Sequence, residues 1–225
     1  MRSVLAVIVG AVVGAVVLGG VAQAQTGAAS STAGNGYVEA VAQSAFGNVT
    51  SQSYGVEVGV KVWQNLQVFA EFGQIRNVAT SAFSAGAQTI AGGLSQTQAN
   101  VGFSAKEPVT FGAAGVRYVV PVSGSKAMPY VLAGFGMAKV KQDVTFTVGG
   151  NDVTSTLPSL GVQLGTDLSG DFTKPMFVVG GGVAYPIWQQ IIIDAQFRFG
   201  RIMVGEPELS GINVSRAGIG LGVKF

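Results

Sequence analysis

Apolar and polar positions alternate through most of this chain. The last dozen residues show it best: Ala217, Ile219, Leu221, Val223 and Phe225 alternate with Arg216, Gly218, Gly220, Gly222 and Lys224. A period of two is the signature of a β-strand, because successive side chains leave opposite faces. Seven earlier segments repeat it, at about 37–46, 53–62, 66–75, 110–120, 129–140, 176–185 and 191–201. In 191–201, Ile191, Ile193, Ala195, Phe197 and Phe199 oppose Asp194, Gln196 and Arg198. In 129–140 both faces are small or apolar, so the pattern does not assign its inward face. The expected fold is all-β, an eight-stranded antiparallel up-and-down transmembrane β-barrel.

The connections alternate as well. Those after the second, fourth and sixth segments are short turns. Those after the third and fifth are the long stretches 76–108 and 141–174, rich in Ser, Ala, Gly, Gln and Thr, with room for a short helix near 80–100. Membrane barrels show this asymmetry, with short periplasmic turns and long external loops. The link after the first segment, Gly47-Asn48-Val49-Thr50, is short for an external loop, and 203–211 reads as a loop of medium length. Trp63-Gln64-Asn65-Leu66 and Trp188-Gln189-Gln190-Ile191 open parallel passages, which suggests one hairpin rule used twice with an interfacial aromatic in each.

Composition changes what the alternation means. The chain is 48% hydrophobic but only 11% charged, less than half the charge of an ordinary soluble domain. Residues 4–21 are uncharged and apolar, Ala22-Gln23-Ala24 follows, and Arg2 precedes them. This reads as a secretory signal peptide, residues 1–24, cut after Ala24. The competing reading is an N-terminal membrane anchor. Cleavage would leave 201 of 225 residues, a size that suits one β domain: a polar leader, 25–36, and the barrel, 37–225. No later segment approaches a membrane helix in length, so an exported hydrophobic chain is expected to cross lipid with strands.

The polar faces separate a membrane barrel from a soluble one. A soluble exterior would be crowded with Lys, Glu, Ser and Thr. Here those faces are Gly and Ala with single charges, at Glu57, Lys61, Glu71, Arg117, Asp194, Arg198, Arg216 and Lys224. They suit a narrow lumen in which opposite charges pair, since an unpaired buried charge is costly. The opposite faces carry Val, Ile, Leu and Phe without charge, as a lipid-facing band must.

With these residues in view, the chain resembles the small bacterial outer-membrane β-barrel family of the OmpA transmembrane domain, OmpX and opacity-type surface proteins. The likeness rests on the signal peptide, the Pro129-Tyr130 opening of the fifth strand, the Gly-rich strands and the terminal strand ending in Phe225. It covers about 37–225. The resemblance implies outer-membrane lipid and the barrel assembly machinery of a Gram-negative bacterium as partners. It implies that Phe225 is the assembly signal, and that Tyr118, Tyr185 and Trp188 join it as interface anchors.

Function is narrowed mainly by exclusion. The chain has no Cys and no His, which removes disulfides, thiol chemistry and the commonest general base and metal ligand. The histidine-dependent enzymes built on such barrels are therefore closed to it, and no catalysis, cofactor or metal is expected. The net charge of +2 and the lack of a basic run argue against a nucleic-acid partner. Gly180-Gly181-Gly182 and the Gly218, Gly220, Gly222 series lack a following helix and read as small lumen residues, not phosphate loops. Two readings remain: a plugged barrel whose loops 76–108 and 141–174 meet an external ligand or host surface, or a porin-like narrow conduit for small molecules.

Overall fold

A computed structural model describes residues 35–165, 168–204 and 211–225. The signal peptide and cleavage site expected from the sequence, most of the expected leader and the centre of the 203–211 loop lie outside the described residues. Eight strands form the barrel wall: β1 (Gly36–Phe46), β2 (Ser51–Lys61), β3 (Leu66–Ile75), β5 (Val109–Val119), β6 (Met128–Val148), β8 (Gly170–Pro186), β9 (Ile191–Met203) and β10 (Gly211–Lys224). Each pairs antiparallel with its neighbours, and β10 returns to pair with β1, so no edge is left open. At the seam Gly36 and Phe225 exchange both backbone hydrogen bonds, at 2.9 and 3.0 Å.

The stagger fixes the barrel's shape. Stepping from partner to partner, from Gly36 through Val60, Val68, Val116, Ala133, Val179, Phe199 and Ser215, returns to β1 at Phe46. Eight strands with a shear of ten residues tilt by about 40° and enclose a backbone radius of about 8 Å. Such a lumen is just wide enough to be filled by side chains.

The two ends differ. At one, the turn end, lie both the Gly36–Phe225 end of the β1–β10 seam and the short turns 62–65, 120–127 and 187–190. Two of those turns share one pattern: Val62 and Trp63 donate to the Leu66 carbonyl, as Ile187 and Trp188 donate to that of Ile191. At the other, the loop end, stands a cap. Helix α1 (Ser81–Leu94) begins at Thr80, whose Oγ1 accepts the Phe83 amide at 3.2 Å. It buries Phe83, Ala87, Ala91 and Leu94 against Val144, Phe146, Leu157 and Leu168.

The stretch 141–174 is not the loop its composition suggests. β6 continues to Val148, β8 starts at Gly170, and between them lie β7 (Asn151–Asp152) and a 3-10 helix (Thr154–Leu160). β4 (Val101–Lys106), inside the other long stretch, pairs with Asp143–Val148. These residues alternate too, with Val144 and Phe146 buried, but their other face meets water and is polar, so the segment reads as a loop.

Alternate residues of the wall form an apolar outer belt, including Phe72, Val131, Phe135, Phe197, Ile219 and Leu221, all exposed. It gives way to Gln52, Gln74 and Lys139 towards the loop end. On β9 the belt runs from Ile191 to Phe199, roughly 20 Å along the barrel axis at this tilt and comparable to a lipid-facing band. The inward face of β6 is resolved: Tyr130, Leu132, Gly134, Gly136 and Ala138 point in, and Val131, Ala133, Phe135 and Met137 point out.

Candidate functional site

The lumen holds the chain's densest chemistry, and glycine makes room for it. A Cβ on Gly59 would overlap the Tyr37 ring, and one on Gly182 would lie 2.6 Å from the Tyr130 hydroxyl. Each tyrosine ring therefore lies over the bare backbone of the glycine it pairs with on the neighbouring strand.

Glu57 is the hub of the layer nearer the turn end. Its Oε1 accepts the Tyr37 hydroxyl at 2.6 Å and Arg117 Nη1 at 3.3 Å, while Oε2 accepts Arg198 Nη2 at 2.8 Å. Tyr130 donates to Asp194 Oδ2 at 2.6 Å and accepts Arg198 Nη1 at 3.3 Å. Arg117 lies 3.7 Å from the same Asp194 oxygen, and its guanidinium carbon is 3.4 Å from the Tyr130 ring centroid and 4.8 Å from that of Tyr37. Each guanidinium thus lies between a carboxylate and the Tyr130 ring, and each carboxylate accepts a tyrosine hydroxyl.

A second cluster sits further towards the loop end. Arg216 binds Glu71 through two bonds, Nη1 to Oε1 at 2.6 Å and Nη2 to Oε2 at 3.3 Å. It also reaches Gln43 Oε1 at 3.4 Å and lies 4.3 Å from the Phe111 ring centroid. Beyond this, Ala45, Ile75, Val109, Phe111, Val140, Met176, Ile202 and Val214 are buried in one apolar cluster. The lumen is therefore stoppered twice, by an ion-pair lattice and by an apolar layer.

Of the eight charges expected on the lumen face, Glu57, Glu71, Arg117, Asp194, Arg198 and Arg216 meet in these two clusters. Lys61 and Lys224 do not. Lys61 is exposed at the turn end, and Lys224 Nζ lies 3.4 Å from the Met128 sulfur. Neither joins an ion pair among the described residues, because each lies where its strand reaches the rim. Sequence reasoning missed Tyr37, Tyr130 and Glu39 as members. Glu39 is 1% exposed, and neither of its oxygens has a protein partner. The same holds for both polar atoms of the Gln196 amide and for Gln43 Nε2. The signal was present for Glu39, which shares a face with Gln43 on the first segment. Tyr130 lay on the strand whose inward face was ambiguous.

On the outside, Tyr118, Tyr185, Trp188 and Phe225 lie at the turn end with Trp63. The two tryptophans are the most exposed large apolar side chains described, at 73% and 72%. Among the described residues, no three Asp or Glu side chains are grouped so as to hold a metal.

No protein-family description matches the chain. No curated protein sequence matches it either. Several solved structures do. The Neisserial surface protein A superposes with a TM-score of 0.51 at 15% identity, over 84% of this chain and 96% of that one. The N-terminal β-barrel domain of Pseudomonas aeruginosa OprF gives 0.50 at 16% identity, over 85% and 98%. A major outer membrane protein of Thermus thermophilus gives 0.50 at 10% identity, over 84% and 99%. With its closed register, tilt and end-to-end asymmetry, the chain has the fold of the small eight-stranded outer-membrane β-barrels.

Proposed function

We propose that this protein is a closed anchor in the outer membrane of a Gram-negative bacterium, presenting the cap at its loop end to the exterior. The observation that carries the reading is the doubly stoppered lumen, in which an ion-pair lattice and an apolar layer occupy successive depths. A lumen only about 8 Å in backbone radius and filled this way favours a structural or surface-interaction role over transport. The chain is exported by its signal peptide and inserted by the barrel assembly machinery, for which Phe225 is the signal. Tyr118, Tyr185, Trp188 and Phe225 anchor the periplasmic rim in lipid headgroups. The partner is an external ligand or host surface, and the protein catalyses nothing.

Planar-bilayer recording of purified protein tests the reading. No reproducible conductance step is expected. Stable steps, altered by neutralising Glu71 or Arg117, would establish the narrow conduit instead. Orientation is tested on whole cells: since the chain has no Cys, a single cysteine at Asn151 should react with an impermeant maleimide and one at Asn65 should not.

A further inference from the structure

Above the apolar layer, between α1 and the barrel rim, lies a cavity of about 450 Å³. Phe83, Leu168, Phe172 and Ile212 supply apolar wall, and Glu107 supplies a carboxyl group. Glu107 is only 3% exposed. It is held from several sides: its amide donates to Asn77 Oδ1 at 2.9 Å, its carbonyl accepts the Val78 amide at 2.9 Å, and its Oε2 accepts the Thr80 amide at 3.0 Å. Burial pushes its carboxyl above the usual carboxylate range, against the opposing pull of the Thr80 amide. Among the described residues no Lys or Arg forms an ion pair with it.

A glutamine would hold the Thr80 amide equally well without the cost of burying a charge. The carboxyl group thus exceeds what tethering α1 requires, and it stands in the wall of an apolar chamber. We propose that this cavity binds a small amphipathic amine, with its ammonium group on Glu107 and its apolar body against Phe83, Leu168, Phe172 and Ile212. The incoming cation supplies the counter-charge the protein does not, through a charge-assisted hydrogen bond in a desolvated site. The volume lies at the small end of ligand pockets and suits roughly a dozen non-hydrogen atoms. A polyamine fits poorly, because its further charges would meet apolar wall.

The test uses full-length mature protein in lipid nanodiscs, with methyl NMR read at Leu168 and Ile212. The probes are 4-phenylbutylamine, its alcohol analogue 4-phenylbutanol and the anion 4-phenylbutyrate. The amine should give saturable shifts at both methyl sites and bind about tenfold more tightly than the alcohol, with the anion weakest. Glu107→Gln, which keeps the Thr80 hydrogen bond, should bring the amine down to the alcohol's affinity and leave the alcohol within twofold. Gly86→Leu should block all three, because a Cβ there lies 3.2 Å from a Leu168 methyl carbon and the longer side chain enters the cavity. Equal affinity for amine and alcohol, no effect of Glu107→Gln, or shifts that fail to saturate would each overturn the proposal. The outcome is independent of the anchor reading, since a conducting barrel could carry the same pocket.

Discussion

The Glu71–Arg216 pair offers the sharpest test of the ion-pair lattice. Replacing Glu71 by Leu keeps most of the side-chain volume, so the variant isolates the loss of charge from the making of a void. It strands Arg216, 2% exposed, with only Gln43 at 3.4 Å and the Phe111 ring at 4.3 Å. Removing one partner of a buried pair costs about 3–5 kcal/mol. The Phe111 face offsets part of that, since a desolvated cation–π contact contributes up to about 2 kcal/mol, so a loss of about 3 kcal/mol is expected. The double variant Glu71→Leu/Arg216→Met removes both charges and should recover most of it. As an internal contrast, Lys139 and Asp171 form an ion pair with side chains 57% and 51% exposed, and Asp171→Asn should leave the unfolding midpoint unchanged. The assay is urea unfolding in lipid vesicles, followed by tryptophan fluorescence and heat-modifiable gel migration. A loss below about 1 kcal/mol for Glu71→Leu, or a double variant no more stable than the single, would refute the view that these charges are paired and desolvated.

Further outcomes follow from the cap and the lumen. Because the Glu107 carboxyl is raised on folding, its protonated form favours the folded cap. That contribution is complete below the ordinary carboxylate range and is lost as pH rises through the raised value. Hydrogen exchange at the Ala79 and Thr80 amides should therefore quicken beyond the intrinsic rate as pH rises through that value, and Glu107→Gln should abolish the excess. Asp152 and Asp171, held low by Thr154 and Lys139, act in the opposite sense and remain in both proteins, so the difference isolates Glu107. Phe146→Ala, at a fully buried cap residue, should cost about 3–5 kcal/mol locally and expose 81–106 to protease while heat-modifiable migration persists; co-loss of the barrel would argue against separate cores. Gly182→Val, which drives into the Tyr130 hydroxyl, should cost about 3 kcal/mol through overpacking and the lost Asp194 bond, and wild-type stability in vesicle unfolding would contradict the packing of Tyr130 over Gly182.

The wall was legible because lipid and lumen impose different chemistry on alternate residues, so that Tyr54, Val56 and Val58 could be told from Gly55 and Glu57. β6 resisted because Leu132, Gly134 and Gly136 differ too little from Val131, Ala133 and Phe135. Its inward face follows from register, which sets Leu132 against Gly180 and Tyr130 against Gly182. The helix of the cap falls where the sequence left room for one, within 80–100, but the cap's strands were hidden because they leave the belt and meet water, where polar residues on a strand look like a loop. Network membership was only half legible. A strand pattern says that Glu39, Glu57 and Lys61 face inward, but which charges meet depends on the stagger around the whole wall. That places Lys61 at the rim and Glu57 beside Arg198.

The seam between β1 and β10 has a kinetic consequence. Glu57 and Arg198 are 141 residues apart in sequence, and Glu71 and Arg216 are 145 apart. Neither bond can form until the C-terminal strand has come round to the N-terminal one. Until then six charged side chains face an open trough and keep their hydration, so an incomplete wall has no dry interior to collapse onto. Desolvation of the lattice is then a late event coupled to ring closure. The same bonds that stopper the finished lumen would slow its reopening, giving a barrel that closes in one concerted step and unfolds with pronounced hysteresis.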